Sequence, residues 1–238
     1  MCDLFAISSS KEEKAVETLL RFGDFSKNNP HGWGIAFYQG KNLFIRKNPE
    51  KAKTTDKFSR AANLAKGKII MAHLRQATKG SVREINCQPF KQHFHGKSWI
   101  FAHNGDVPKI EVHPRTLGET DSESVFNFLL DGIDEYQSQG DARGIFSGLT
   151  HGIKKLFKIY GRRITLNLLI SDGNLLYVFN HSFSKQMYFL KREAKGNSAS
   201  AVLVSTRKLT DEKWKIIPED RLLVLEKGEI LFLSSKIE

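Results

Sequence analysis

Cys2 follows the opening methionine, so removal of Met1 would place a thiol and a free α-amine on one residue. Such an amine, with an ordinary pKa of roughly 7.7–8.0, can act as the base or relay that makes the thiol nucleophilic. Three other stretches carry groups that could work with it. Ala72–Gly80 places Arg75 where an apolar strand ends, Phe101–Asp106 places Asn104-Gly105 where another ends, and Gly118–Glu123 places Asp121 at a helix start. Together these are the groups that acyl transfer from an amino-acid-like substrate needs. A nucleophile forms the thioester, and an Asn amide with a Gly N–H can stabilise the tetrahedral oxyanion. A guanidinium can grip a carboxylate with two parallel hydrogen bonds, and a carboxylate can hold an ammonium.

Each stretch also has an ordinary structural alternative. Cys2 can be a small residue opening the buried strand Leu4–Ile7, and Arg75 can be a surface ion-pair partner. Asn104-Gly105 can be a turn, and Thr120–Glu123 a capping box with a hydroxyl at the N-cap and an acid three residues on. The chemistry therefore rests on the set and not on any one member.

The elements that must position these groups can be read from periodicity. Helical spacing marks Ala15–Phe22, Phe58–Ala65, Val125–Ile133 and Ile145–Tyr160. Strands are expected at Gly32–Tyr38, Leu43–Arg46, Ile69–Leu74 and Trp99–Ala102. In the last third they are expected at Ile164–Ser171, Leu175–Phe179, Met187–Leu190, Ala201–Val204, Leu222–Leu225 and Ile230–Leu233. Turns at Tyr38–Lys41, Asp172-Gly173 and Lys227-Gly228 make neighbouring strands antiparallel. Strands, two central helices and more strands predict an α+β layer structure in a single domain spanning residues 1–238.

Composition narrows the class. Forty per cent hydrophobic residues, with 17 phenylalanines, supply ample core material. No run of about 18 apolar residues predicts a membrane span, and the start lacks a secretory pattern. Two cysteines, Cys2 and Cys87, make no disulfide framework, which suits a reducing cytoplasm. The net charge of +11 favours acidic partners. However, the basic residues are dispersed and no nucleic-acid motif accompanies them, so solvated faces are expected. His93-Phe94-His95 lacks a third ligand at metal-site spacing, so no metal or other cofactor is expected.

In this order and at these separations, the four stretches resemble the class II glutamine amidotransferase domain of the N-terminal-nucleophile hydrolases. Asn29-Pro30-His31-Gly32-Trp33-Gly34-Ile35-Ala36-Phe37-Tyr38 is similar to the stand-alone members. The similarity is dense from Cys2 to about Leu130, and Leu203–Arg207 adds a weaker match. The resemblance implies a four-layer αββα sandwich, two antiparallel sheets between helical layers. It also implies that Cys2 attacks the side-chain carbonyl of glutamine, with Asn104 and the Gly105 N–H as oxyanion hole. Arg75 would bind the substrate α-carboxylate with Thr78 nearby, and Asp121 the α-ammonium. Gln76, Lys79, Cys87 and Gln88 depart from related branches, and Cys87 is expected to be a buried spectator. His73 and His103 are expected to pack at the strand ends.

The expected activity is glutamine hydrolysis through a γ-glutamyl thioester, with ammonia passed to a separate protein. Hydrolysis of another γ-glutamyl amide or peptide, and a non-catalytic basic binding module with this fold, are the alternatives. Neither a specific nucleic acid nor a membrane is expected as partner, and homo-oligomerisation is left open.

Overall fold

The computed structural model describes residues 1–136, 142–196 and 198–238. The chain opens with β1 (Asp3–Lys14), α1 (Val16–Gly23), β2 (Trp33–Gln39), β3 (Asn42–Asn48), α2 (Lys57–Leu64) and β4 (Lys66–Leu74). β5 (Phe90–Phe94), β6 (Lys97–Asp106), α3 (Asp121–Asp134) and α4 (Ala142–Tyr160) follow. The last third holds β7 (Thr165–Ser171), β8 (Leu175–Phe179), β9 (Tyr188–Arg192), β10 (Ala201–Ser205), β11 (Lys215–Ile216), β12 (Leu222–Glu226) and β13 (Glu229–Leu233).

Among the described residues the strands form two antiparallel sheets. One has the order β11-β9-β10-β1-β4-β2-β3, the other β13-β12-β8-β7-β6-β5. β1 is central to the first, pairing with β10 on one side and β4 on the other. Successive side chains of a strand face opposite ways, and here both faces of β1 are covered. Leu4 and Ala6 enter the layer between the sheets, where Ala102, Leu169 and Val178 of the second sheet meet them. Phe5 and Ile7 face outward into a cluster with Leu19 and Phe22 of α1 and Phe58 of α2. The outer face of the second sheet buries Phe101, Leu168 and Tyr177 against Phe126, Leu129, Leu149 and Ile153 of α3 and α4. The layers are therefore helix, sheet, sheet, helix, as the resemblance implies.

The helices obey their apolar stripes. Lys154 and Lys158 of α4 are exposed, and Lys155 pairs with Glu135 at 2.6 Å. Gly148 lets α3 and α4 touch, since a Cβ there would meet the Ile133 backbone at 2.5 Å.

Two strands are absent from the periodicity reading. β5 is an edge strand whose Lys91 and His93 are exposed, so it shows no apolar run. β11 is two residues long and exists only through its pairing with β9. A third difference bears on the site. Asn104-Gly105 lies where β6 ends but makes no turn, because it is paired within the strand up to Asp106, with Asn104 opposite Asn167 and Gly105 opposite Leu166. Pairing with β7 carries the backbone straight through a dipeptide that favours turns in isolation.

Candidate active site

Cys2 lies half-buried immediately before β1. The Gln76 N–H donates to its Sγ at 3.3 Å, and the thiol faces the Gln76 carbonyl oxygen at 3.5 Å. Burial pushes the thiol pKa up, while the Gln76 amide, the N-terminal ammonium and Lys185 pull the other way. An N–H aimed at sulfur stabilises the thiolate over the thiol.

Asn104 is fully buried on β6, on the face shared with Ala102. Its Nδ2 donates to the Cys2 carbonyl oxygen at 2.6 Å, and its Oδ1 lies 3.4 Å from Asn167 Nδ2. Asn167 in turn donates to the Lys185 carbonyl at 2.7 Å and accepts from the His181 N–H. Gly105 follows in a slot closed by the Thr165 carbonyl and the His103 ring, where a Cβ would overlap both. That ring is itself fixed, with Nε2 donating to Thr165 O and Nδ1 accepting from the Ser122 hydroxyl, each at 3.0 Å. His103 therefore joins β6 to the first turn of α3. Burial lowers its pKa, which keeps this tautomer neutral.

Arg75 leaves the end of β4 and is buried. Its guanidinium donates to the carbonyl oxygens of Ser81, Lys79 and Gly80 at 2.9, 2.9 and 3.1 Å. Arginine has five N–H donors, so these bonds shape the 76–81 loop without exhausting it. The loop is pinned further by His31, whose Nδ1 accepts from the Ala77 N–H, and by Glu119. Glu119 accepts from the Ser81 hydroxyl and amide and from Asn86, and these bonds pull its carboxyl down to about 2. Thr78 is exposed on the same loop.

Asp121 is the first residue of α3, with Thr120 as N-cap accepting from the Glu123 N–H. The other half of the expected capping box is redirected: Glu123 accepts from Leu117 and Gly118 instead of reaching back to Thr120. Asp121 accepts from the Val107 and Ser122 amides. Lys79 places its ammonium 3.5 Å from Asp121 Oδ2 and 2.9 Å from Asp106.

The structure thus brings Cys2, Asn104, Gly105 and the Arg75 loop together directly, and ties Asp121 to them through Lys79. It also adds residues that motif reading missed. Asp3 is wholly buried and surrounded by Lys185 (2.5 Å), Arg207 (2.9 Å), Thr206 (2.8 Å) and Asn29 (2.6 Å). Lys185 also donates to the Cys2 carbonyl at 2.7 Å, and burial lowers its pKa against the opposing pull of Asp3. An acid set beside the apolar run Leu4–Ile7 was the available signal for Asp3; nothing near Lys185 in sequence marks it. Cys87 is buried with its thiol facing the Asn48 and Arg83 carbonyls, and burial pushes it up to about 11 against the opposing charge of Arg75. His95 pairs with Asp134 at 2.7 Å. No group of three or more potential metal ligands occurs among the described residues, and no helix there is long and apolar enough to cross a membrane.

Known proteins are similar to this chain in sequence or in fold. An uncharacterised protein of Methanocaldococcus jannaschii, MJ1515, is 29% identical over 266 residues, covering 100% of this chain and 72% of its own. A solved structure described as a predicted glutamine amidotransferase from Pseudomonas aeruginosa PA01 matches with TM-score 0.66 at 22% identity. It covers 97% of this chain and 100% of that one. The glutamine phosphoribosylpyrophosphate amidotransferase of Bacillus subtilis matches with TM-score 0.67 at 17% identity, over 100% of this chain and 49% of that one. Residues 1–196 match the family model for class-II glutamine amidotransferases, and the chain belongs to that family.

Proposed function

We propose that this chain, acting as one domain over residues 1–238, hydrolyses the side-chain amide of glutamine with Cys2 as nucleophile. The observation that carries the reading is the Asn104–Cys2 hydrogen bond of 2.6 Å, which sets an amide donor beside the thiol-bearing residue.

Removal of Met1 frees the Cys2 α-amine, which takes the thiol proton as sulfur attacks the substrate carbonyl carbon. The developing oxyanion is held by the second Nδ2 hydrogen of Asn104 and the Gly105 N–H. Collapse breaks the C–N bond, the relayed proton leaves with ammonia, and a γ-glutamyl thioester remains. Water, deprotonated by the same amine, attacks that thioester; the C–S bond breaks and glutamate and the thiol are restored. Arg75, with Thr78 beside it, holds the substrate α-carboxylate, and Asp121 the α-ammonium. The released ammonia passes to a separate acceptor protein in the cytoplasm.

The test is glutamate release from L-glutamine, using protein whose intact mass shows Met1 removed, with Cys2→Ala alongside. The expected result is turnover in the wild type and none in the variant, at equal thermal stability. Appreciable turnover by Cys2→Ala would remove the nucleophile assignment and leave the fold as a binding module.

A further inference from the structure

The seat assigned to the substrate ammonium already holds a cation. Asp121 is one-tenth exposed, and both its oxygens accept backbone N–H bonds, from Val107 and Ser122. It also stands in the first turn of α3, where the helix dipole adds partial positive charge. The ammonium of Lys79 then approaches Oδ2 at 3.5 Å. A second ammonium arriving at that carboxylate meets a like charge within a few ångströms, at a partly desolvated position where repulsion is weakly screened.

Lys79 has somewhere else to go. Its nearer partner is Asp106, at 2.9 Å, whose carboxylate is 58% exposed against 9% for Asp121. Lysine stems are flexible and their ammonium groups are point charges without fixed directionality, so retreat to Asp106 alone keeps one ion pair intact. The geometry allows two arrangements, of which the structure holds the first. Lys79 bridges both carboxylates, or it sits on Asp106 while another cation takes Asp121.

Resting on the reading of Asp121 as the α-ammonium seat, we propose that Lys79 is the specificity-determining residue of this pocket, a resident cation that disfavours a charged α-nitrogen. Free glutamine binds by displacing Lys79 to Asp106. A γ-glutamyl amide whose α-nitrogen is acylated, and so uncharged, leaves the Lys79–Asp121 pair in place. Without Lys79 the balance reverses, because Asp121 becomes a largely buried charge that only an incoming ammonium can pair.

The test is equilibrium binding by calorimetry, in a Cys2→Ala background where neither ligand turns over, of L-glutamine and Nα-acetyl-L-glutamine. Lys79→Met is expected to tighten glutamine and weaken the acetylated compound, raising the affinity ratio between them by at least tenfold. Lys79→Arg should keep the original ratio, since the cation is retained. A ratio unchanged in Lys79→Met overturns the proposal. Adding Asp121→Asn to Lys79→Met separates the two claims. If glutamine then binds much more weakly, Asp121 is the ammonium seat and the result for Lys79 stands by itself. If glutamine affinity does not change, or neither ligand binds in any background, the seat lies elsewhere and both claims fail.

Discussion

The side-chain amide of Asn104 donates to the carbonyl oxygen of Cys2 at 2.6 Å, across 102 residues of sequence, from β6 of one sheet to the residue just before β1 of the other. Asn104 reaches it because β6 continues past the Asn-Gly pair, held in register by Asn167 and Leu166. The bond uses one of the two Nδ2 hydrogens, so the same amide can fix the nucleophile and face a bound substrate.

Asn104→Ala is therefore expected to lower kcat by about 10²–10³, the usual loss for one oxyanion donor, with a smaller effect on KM. Steady-state glutaminase kinetics check this, and a kcat within threefold of wild type would place the oxyanion hole elsewhere.

Lys185→Met removes a cation from wholly buried Asp3 and a donor from the Cys2 carbonyl. Breaking a buried pair from one side costs about 3–5 kcal/mol. Arg207, Thr206 and Asn29 remain on Asp3, so the expected loss lies toward the lower end. Urea unfolding measures it. An unchanged midpoint would show that those three partners suffice.

His73 should make the protein acid-sensitive. It lies on β4 opposite Leu4 of β1, on the same face of their sheet, and both of its ring nitrogens are buried without a hydrogen-bond partner. Burial first, then the charge of Arg75, lowers its pKa from 6.5 to about 3. The native state thus binds fewer protons than the unfolded chain between these values. Stability contributed by the neutral ring is complete above pH 6.5 and is lost as pH falls toward 3, to a ceiling of roughly 4–5 kcal/mol. Across that window the unfolding free energy of wild type should fall relative to that of His73→Leu as pH falls. Parallel curves would assign the acid sensitivity to other groups.

Much of this site can be read along the chain because its parts sit at element ends, where local signals are strong. Arg75 follows the apolar run of β4, Asp121 follows an N-cap threonine, and Cys2 adjoins the first strand. The helices and most strands are legible for the same reason, since one or two faces are consistently buried. β5 and β11 are not: β5 carries Lys91 and His93 at exposed positions among its five residues, and β11 is two residues long, too short to show any alternation.

By itself the sequence determined the layered α+β class, the order of the motifs and the residue types that acyl transfer needs. Periodicity and spacing are local properties of the chain, and they survive without any long-range information. Only the tertiary structure decided that Asn104 lies within a strand, that Arg75 spends three N–H bonds on its own loop, and that Lys79 sits on Asp121. It alone gathered Asp3, Lys185 and Arg207, separated by up to 204 residues, into one buried charge cluster. Such contacts follow from sheet register and the packing of one sheet on another, and no spacing rule within the chain encodes them.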